Sequence, residues 1–253
     1  MDLQLKGRTA IVTGASAGIG AGIAECLARE GTTLALAGRN RAGLEQVAAQ
    51  VRSLGAPAAH VVIGDVGTLE GARTVADTAR DALGGRVDIL VNNVGSSRPL
   101  KGEETEAFWA EAFDLNFASA RRVTGHIAPI MKAAGFGRII NITGALYGKA
   151  INGAAPSKAA LLSWSRALAF ELAPHGITVN CVAPGRINSV QIRERLHPTE
   201  ESRQAFIRDN IPIGRFGEPT ELGNVVTFLA SPLASYVSGA HIPVDGGGVR
   251  LGV

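Results

Sequence analysis

Thr13-Gly14-Ala15-Ser16-Ala17-Gly18-Ile19-Gly20 separates a β-branched run at 9–13 from an alanine-rich stretch that opens at Ile19. A strand that turns directly into a helix through glycines presents bare backbone N–H groups at the helix N-terminus, where aligned peptide dipoles attract an anion. Gly14 suits the sharp exit from the strand, while Gly18 and Gly20 leave room that a Cβ would fill. The spacing is Gly-x3-Gly-x-Gly, unlike the commoner Gly-x-Gly-x-x-Gly fingerprint. A tight turn without any ligand also wants glycines, so the stretch gains its meaning from what surrounds it.

Working outward, strands are expected at 9–13, 33–37, 59–63, 89–91, 138–142, 178–182 and 241–244. Helices are expected at 19–29, 44–54, 69–83, 105–134 and 156–173. Strands apolar on both faces and joined by helices imply a parallel sheet covered on both sides. Right-handed crossovers make such a sheet doubly wound. The fold class is therefore α/β, with about seven parallel strands and helices on both faces. No linker, repeat or low-complexity segment interrupts the pattern, which makes residues 1–253 one domain. In that setting, a glycine turn after the first strand points to the pyrophosphate of a dinucleotide.

Composition narrows the function further. The 46% hydrophobic content supplies a substantial core, and the formal charge of +3 is spread among acidic residues. Nucleic-acid binding calls for a concentrated basic patch, and none stands out. Cys26 and Cys181 lie far apart without metal-ligand spacing, so they read as buried, reduced thiols, with no metal site. Met1 to Lys6 lacks the layout of a signal peptide, and no apolar run spans a bilayer. A soluble, cytoplasmic protein with a small-molecule substrate and no membrane partner is the expectation.

The end of the second strand selects the nucleotide. A carboxylate there suits the ribose 2′-hydroxyl of NAD, and a cation suits the 2′-phosphate of NADP. The sequence reads Ala37-Gly38-Arg39-Asn40-Arg41, with no carboxylate. Arg39 can pair bidentately with a phosphate, so NADP(H) is the preferred cofactor and NAD(H) the alternative.

Further blocks, in order along almost the whole chain, resemble those of short-chain dehydrogenases/reductases. Thr13 to Gly20 is similar to the family's glycine motif, Gly64-Asp65-Val66 to its strand-end Asp-Val, and Asn92-Asn93-Val94-Gly95 to its Asn-Asn-Ala-Gly block. Pro184-Gly185-Arg186-Ile187-Asn188-Ser189 resembles Pro-Gly-x-Ile-x-Thr; Arg215 to Pro219 and Val244 to Gly247 resemble C-terminal landmarks. The resemblance implies a Rossmann-type domain that transfers a hydride to or from a carbonyl, alcohol or activated double bond. It assigns cofactor contacts to Gly14, Ser16, Gly18, Ile19, Gly20, Asp65, Val66, Asn92, Gly95, Lys158, Pro184, Gly185, Ile187 and Ser189. Asp65 would meet the adenine, Asn116 would hold a water of the proton relay, and Lys158 would bind the nicotinamide ribose.

The resemblance breaks at the acid–base groups. Family members place a tyrosine one helical turn before the lysine, where residues four apart share a face and the ammonium favours the phenolate. Here Ala154 occupies that place, Gly144 falls where the family keeps its serine, and the stretch between is shorter than usual. Three readings stay open. Another group can supply the proton: Tyr147, Lys158, Ser157 or a water on Asn116. Tyr147 draws support from dienoyl-CoA reductases, family members that use a tyrosine nearer the strand end. Alternatively, the protein binds the cofactor without catalysis, as a structural or regulatory subunit, or it catalyses a non-redox reaction in the same cleft.

The segment 189–214 falls where relatives carry a mobile substrate lid. Its arginines 193, 195, 203 and 208 are balanced by glutamates, which reads as a solvated mixed-charge helix. The helices at 105–134 and 156–173 carry more apolar surface than one sheet face needs, and in the family they form a dimer interface. A homotetramer, or at least a homodimer, is expected.

Overall fold

β1 (Thr9–Thr13) is buried at every position but its first, and a strand enclosed on both faces must lie inside a layered structure. The computed structural model describes residues 1–144, 146, 150–189, 192 and 196–248. Six further strands complete the sheet: β2 (Thr33–Gly38), β3 (Ala59–Ile63), β4 (Ile89–Asn92), β5 (Gly137–Ile142), β6 (Ile177–Pro184) and β7 (His241–Val244). All pairings are parallel, in the order β3-β2-β1-β4-β5-β6-β7. The order reverses between β1 and β4, and in open parallel sheets ligands bind beyond the strand ends at such a switch point.

Helices α1 (Gly18–Arg29), α2 (Arg41–Ser53), α3 (Leu69–Ala82), α4 (Glu106–Phe113), α5 (Ser119–Ala134), α6 (Ala154–Leu172), α7 (Glu200–Asn210) and α8 (Pro219–Ala230) follow in chain order. Side-chain alternation along the strands divides the core in two. Ala10 and Val12 of β1 and Ile140 of β5 join Ile23, Leu27, Leu44 and Leu222 from α1, α2 and α8. Ile11 and Ile139 point the other way, to Val75, Val123, Ile127 and Leu172 from α3, α5 and α6. Each such buried aliphatic side chain contributes roughly 1.5–3 kcal/mol.

Two departures from the expected elements matter. The stretch 105–134 is not one helix: a π-helical turn, Asp114–Ala118, separates α4 from α5. A π turn widens the helix and disrupts the regular ladder, and it often marks a functional position. Asn116 stands in it, fully buried, and donates from Nδ2 to Ala112 O at 3.0 Å. The second departure is α8, for which the sequence reading assigns no helix. Pro219 at its first turn and a capping box between Glu218 and Glu221 start it, and Leu222, Val226 and Leu229 form its buried stripe. The 189–214 segment contains α7, none of whose residues is buried and which carries the Glu200–Arg203 pair at 3.1 Å.

Candidate active site

A cleft of about 1300 Å³ lies over the C-terminal strand ends, at the switch point. Its first wall is the glycine turn. Gly14 and Gly18 adopt left-handed φ values of +65° and +57°. A Cβ on Gly20 would collide with Gly14 O, so only glycine lets the turn close this tightly. Asn93 fastens the turn to the end of β4, donating from Nδ2 to Thr13 O at 3.0 Å and Gly14 O at 3.1 Å.

The helix behind this turn begins without a side-chain cap. α2 and α3 are capped by Asn40 and Thr68, which accept from Gly43 N and Gly71 N. The N-cap of α1 is Ala17, with no side-chain cap and no acidic residue in the first turn. Its N–H groups and positive dipole end are left for an external anion. Ser16, Gly18, Ile19 and Gly20 line the cleft here, and the set fits a dinucleotide pyrophosphate.

At the end of β2, Arg39 is exposed and lies 3.4 Å from Asp65, itself partly exposed. A pair this open to solvent contributes at most about 1 kcal/mol, so either partner can turn to a ligand. Asp65 also accepts from Gly67 N at 2.9 Å, and Val66 lies beside it on the cleft wall.

Asn92 departs from its assigned role. Its side chain does not line the cleft but turns inward, donating to Thr124 Oγ1 at 2.9 Å and Asn141 Oδ1 at 2.8 Å. Asn141 continues the chain to Ser165 Oγ. The residue at the cleft is its neighbour Asn93, because successive side chains at a strand end face opposite ways. Gly95 does line the cleft, and a Cβ there would stand 2.8 Å from Lys158 Nζ and 2.9 Å from Asn116 Oδ1.

Those three residues form the floor. An ordinary lysine near a helix start is exposed, yet Lys158 is only 7% accessible. Its ammonium donates to Ile142 O at 2.7 Å and sits 3.5 Å from Val94 O. Burial lowers its pKa from 10.5 to about 8, the larger effect against the opposing charge interaction with Cys181. Asn116 Oδ1 accepts from Ser96 N at 2.9 Å, fixing the loop after β4.

Above the floor, Ala154 and Gly144 line the cleft and bring no hydroxyl to it. Thr143 Oγ1 is engaged by Val182 O and His241 Nε2. Ser157, one of the alternative proton donors, is fully buried and donates to Gly153 O at 2.7 Å, away from the cleft. Tyr147 lies outside the described residues. Asn152, absent from the sequence reading, ties this wall together: its Oδ1 accepts from Arg98 N and Ala154 N, and its Nδ2 donates to Ser97 Oγ.

The far wall comes from the end of β6. Pro184, Gly185, Ile187 and Ser189 line it, and Ser189 Oγ accepts from Ile192 N at 3.3 Å. Arg186 also faces the cleft, its guanidinium 4.6 Å from the centre of the Phe206 ring on α7. Nothing in the local sequence distinguishes it from the arginines that follow. Among the described residues no cluster of His, Cys, Asp or Glu could hold a metal, and no helix is long and apolar enough to cross a membrane.

Known proteins share this fold. A family model described as enoyl-(acyl carrier protein) reductase matches residues 14–248. The 3-oxoacyl-(acyl-carrier-protein) reductase of Pseudomonas aeruginosa is 37% identical over 253 residues, covering 97% of this chain and 98% of its own. The crystal structure of L-sorbose reductase from Gluconobacter frateurii, complexed with NADPH and L-sorbose, superposes with a TM-score of 0.93 at 32% identity, covering 99% of both chains. A 7α-hydroxysteroid dehydrogenase complexed with NADH and 7-oxo glycochenodeoxycholic acid gives 0.91 at 36% identity, covering 98% of this chain and 97% of that one.

Proposed function

This chain belongs to the short-chain dehydrogenase/reductase family of oxidoreductases, and from that membership we propose an NADP(H)-dependent enzyme with a non-standard proton donor. When bound, the nucleotide supplies or accepts a hydride at a carbonyl, alcohol or activated double-bond carbon. The uncapped start of α1 receives the pyrophosphate, and Arg39 exchanges its exposed partner Asp65 for the 2′-phosphate. Asn93 holds the glycine turn in shape, and Pro184, Gly185, Ile187 and Ser189 line the nicotinamide side.

The observation that carries the reading is Lys158: an ammonium at the cleft floor, buried, held by carbonyls and brought near working pH. A general acid is most effective with a pKa close to the ambient pH. With alanine at 154, the lysine can hand its proton to a substrate oxygen directly or through a water on Asn116. Tyr147 is the other candidate, supported by the likeness to dienoyl-CoA reductases. One observation favours a second reading, cofactor binding without turnover: Ala154, Gly144, Thr143 and Ser157 offer no free hydroxyl to the cleft.

Calorimetry with NADPH, followed by turnover on ketones, keto-thioesters and enoyl-thioesters, separates these. If Tyr147 is the donor, Tyr147→Phe lowers turnover by roughly 100- to 10,000-fold at unchanged NADPH affinity. If Lys158 is the donor, Tyr147→Phe retains turnover, and the wild-type rate falls as pH rises through about 8. Tight NADPH binding with no turnover on any compound selects the inactive reading, and absence of binding to NADPH and NADH rejects the enzyme altogether.

A further inference from the structure

Three arginines among the described residues line the cleft, and two of them face a carboxylate: Arg39 with Asp65 at 3.4 Å and Arg98 with Glu111 at 3.0 Å. Among the described residues, Arg186 faces none within 4.0 Å and its enclosed Nε–H has no hydrogen-bond acceptor. An arginine in the same region with an ordinary surface role, Arg215, donates twice to Glu221 at 2.7 Å and once to Phe216 O at 3.1 Å.

The surroundings of Arg186 are those of a ligand subsite. Its guanidinium lies on the Phe206 ring, which fixes the plane of the fork. Phe206 is braced in turn by His197 at 4.6 Å and Phe216 at 6.3 Å between ring centres. Ile192, Leu196 and Ile211 supply apolar wall around it. Burial pushes the guanidinium pKa below its ordinary value, and the Arg186 charge helps hold His197 low after burial itself. Arg186 is half-buried, and an enclosed Nε–H without an acceptor is costly unless an anion meets it.

We propose that Arg186 is the anchor for an oxyanion, a carboxylate or a phosphate, carried on an apolar segment of the substrate away from the reacting carbon. Resting on the oxidoreductase reading, this names its substrate class: anionic ketones or hydroxy compounds rather than neutral ones. A charge-assisted bond to one guanidinium predicts roughly 10- to 100-fold selectivity over an isosteric neutral compound.

The test is binding, measured by calorimetry on the full chain with and without NADP+. Probes are a medium-chain 3-hydroxy acid, its primary amide, and the corresponding alkyl phosphate. The acid or the phosphate should bind at least tenfold more tightly than the amide, and which of the two is tighter identifies the anion. Arg186→Leu should abolish that preference and Arg186→Lys should retain part of it, with NADPH affinity within about twofold of wild type in both. Equal affinity of acid, phosphate and amide for the wild type overturns the proposal whatever the variants do. So does a preference that survives Arg186→Leu, or a loss of NADPH affinity as large as the loss of anion affinity, which would give Arg186 to the cofactor. If NADPH fails to bind yet anion preference persists and depends on Arg186, the nucleotide reading falls and this assignment stands.

Discussion

Removing the Lys158 charge should change how the stability of the free protein depends on pH. In the unfolded chain this lysine titrates at its ordinary 10.5, and in the fold at about 8. Below pH 8 it is charged in both states, and the native state bears the cost of burying it. As pH rises through about 8, the native lysine loses its proton while the unfolded one keeps it. The unfolded state then binds more protons, so stability rises with pH until the ordinary value is reached. Between pH 7 and pH 9.5 the two values give a gain of about 2 kcal/mol from this residue alone. Urea unfolding of wild type and Lys158→Met at both pH values isolates that gain, because other titrations, such as Cys26 raised to about 11 by burial, occur in both proteins. Wild type should gain about 2 kcal/mol more than the variant on going to the higher pH. Indistinguishable pH dependences would refute the buried-ammonium account of the cleft floor, and with it Lys158 as an acid tuned by desolvation.

Two further outcomes bear on the cofactor and the assembly. Arg39→Asp should weaken NADPH binding by roughly 10- to 100-fold while sparing NADH; equal losses for the two nucleotides would remove Arg39 from the 2′-phosphate. Phe170 on α6 is 88% exposed, a large apolar side chain that assembly would cover. Light scattering at micromolar concentration should therefore report a homotetramer or homodimer, and a monomer would contradict it.

Much of the scaffold is legible in the residues. Runs such as Thr9 to Thr13 carry their own periodicity, and the turn from Gly14 to Gly20 carries its own steric demand. The long 105–134 stretch misleads because its apolar pattern continues straight through the π turn. What breaks it is side-chain bonding around Asn116, which periodicity does not record. Asn92 and Asn93 are alike as letters. The one facing Thr124 and Asn141 is structural, the other holds the glycine turn, and only the strand's orientation in the sheet separates them.

The amino-acid order by itself determined the alternation of strands and helices, the glycine turn and the cation at the second strand end. Each of these follows from backbone sterics or from neighbours a few positions away. Tertiary structure decided the condition of the charges. Lys158 is desolvated among Ile142, Val94 and Asn116, and Arg186, against the Phe206 ring, meets no carboxylate among the described residues. Desolvation and pairing depend on groups brought together from distant parts of the chain, which is why one lysine and one arginine, ordinary in sequence, stand apart from the other cations only in the fold.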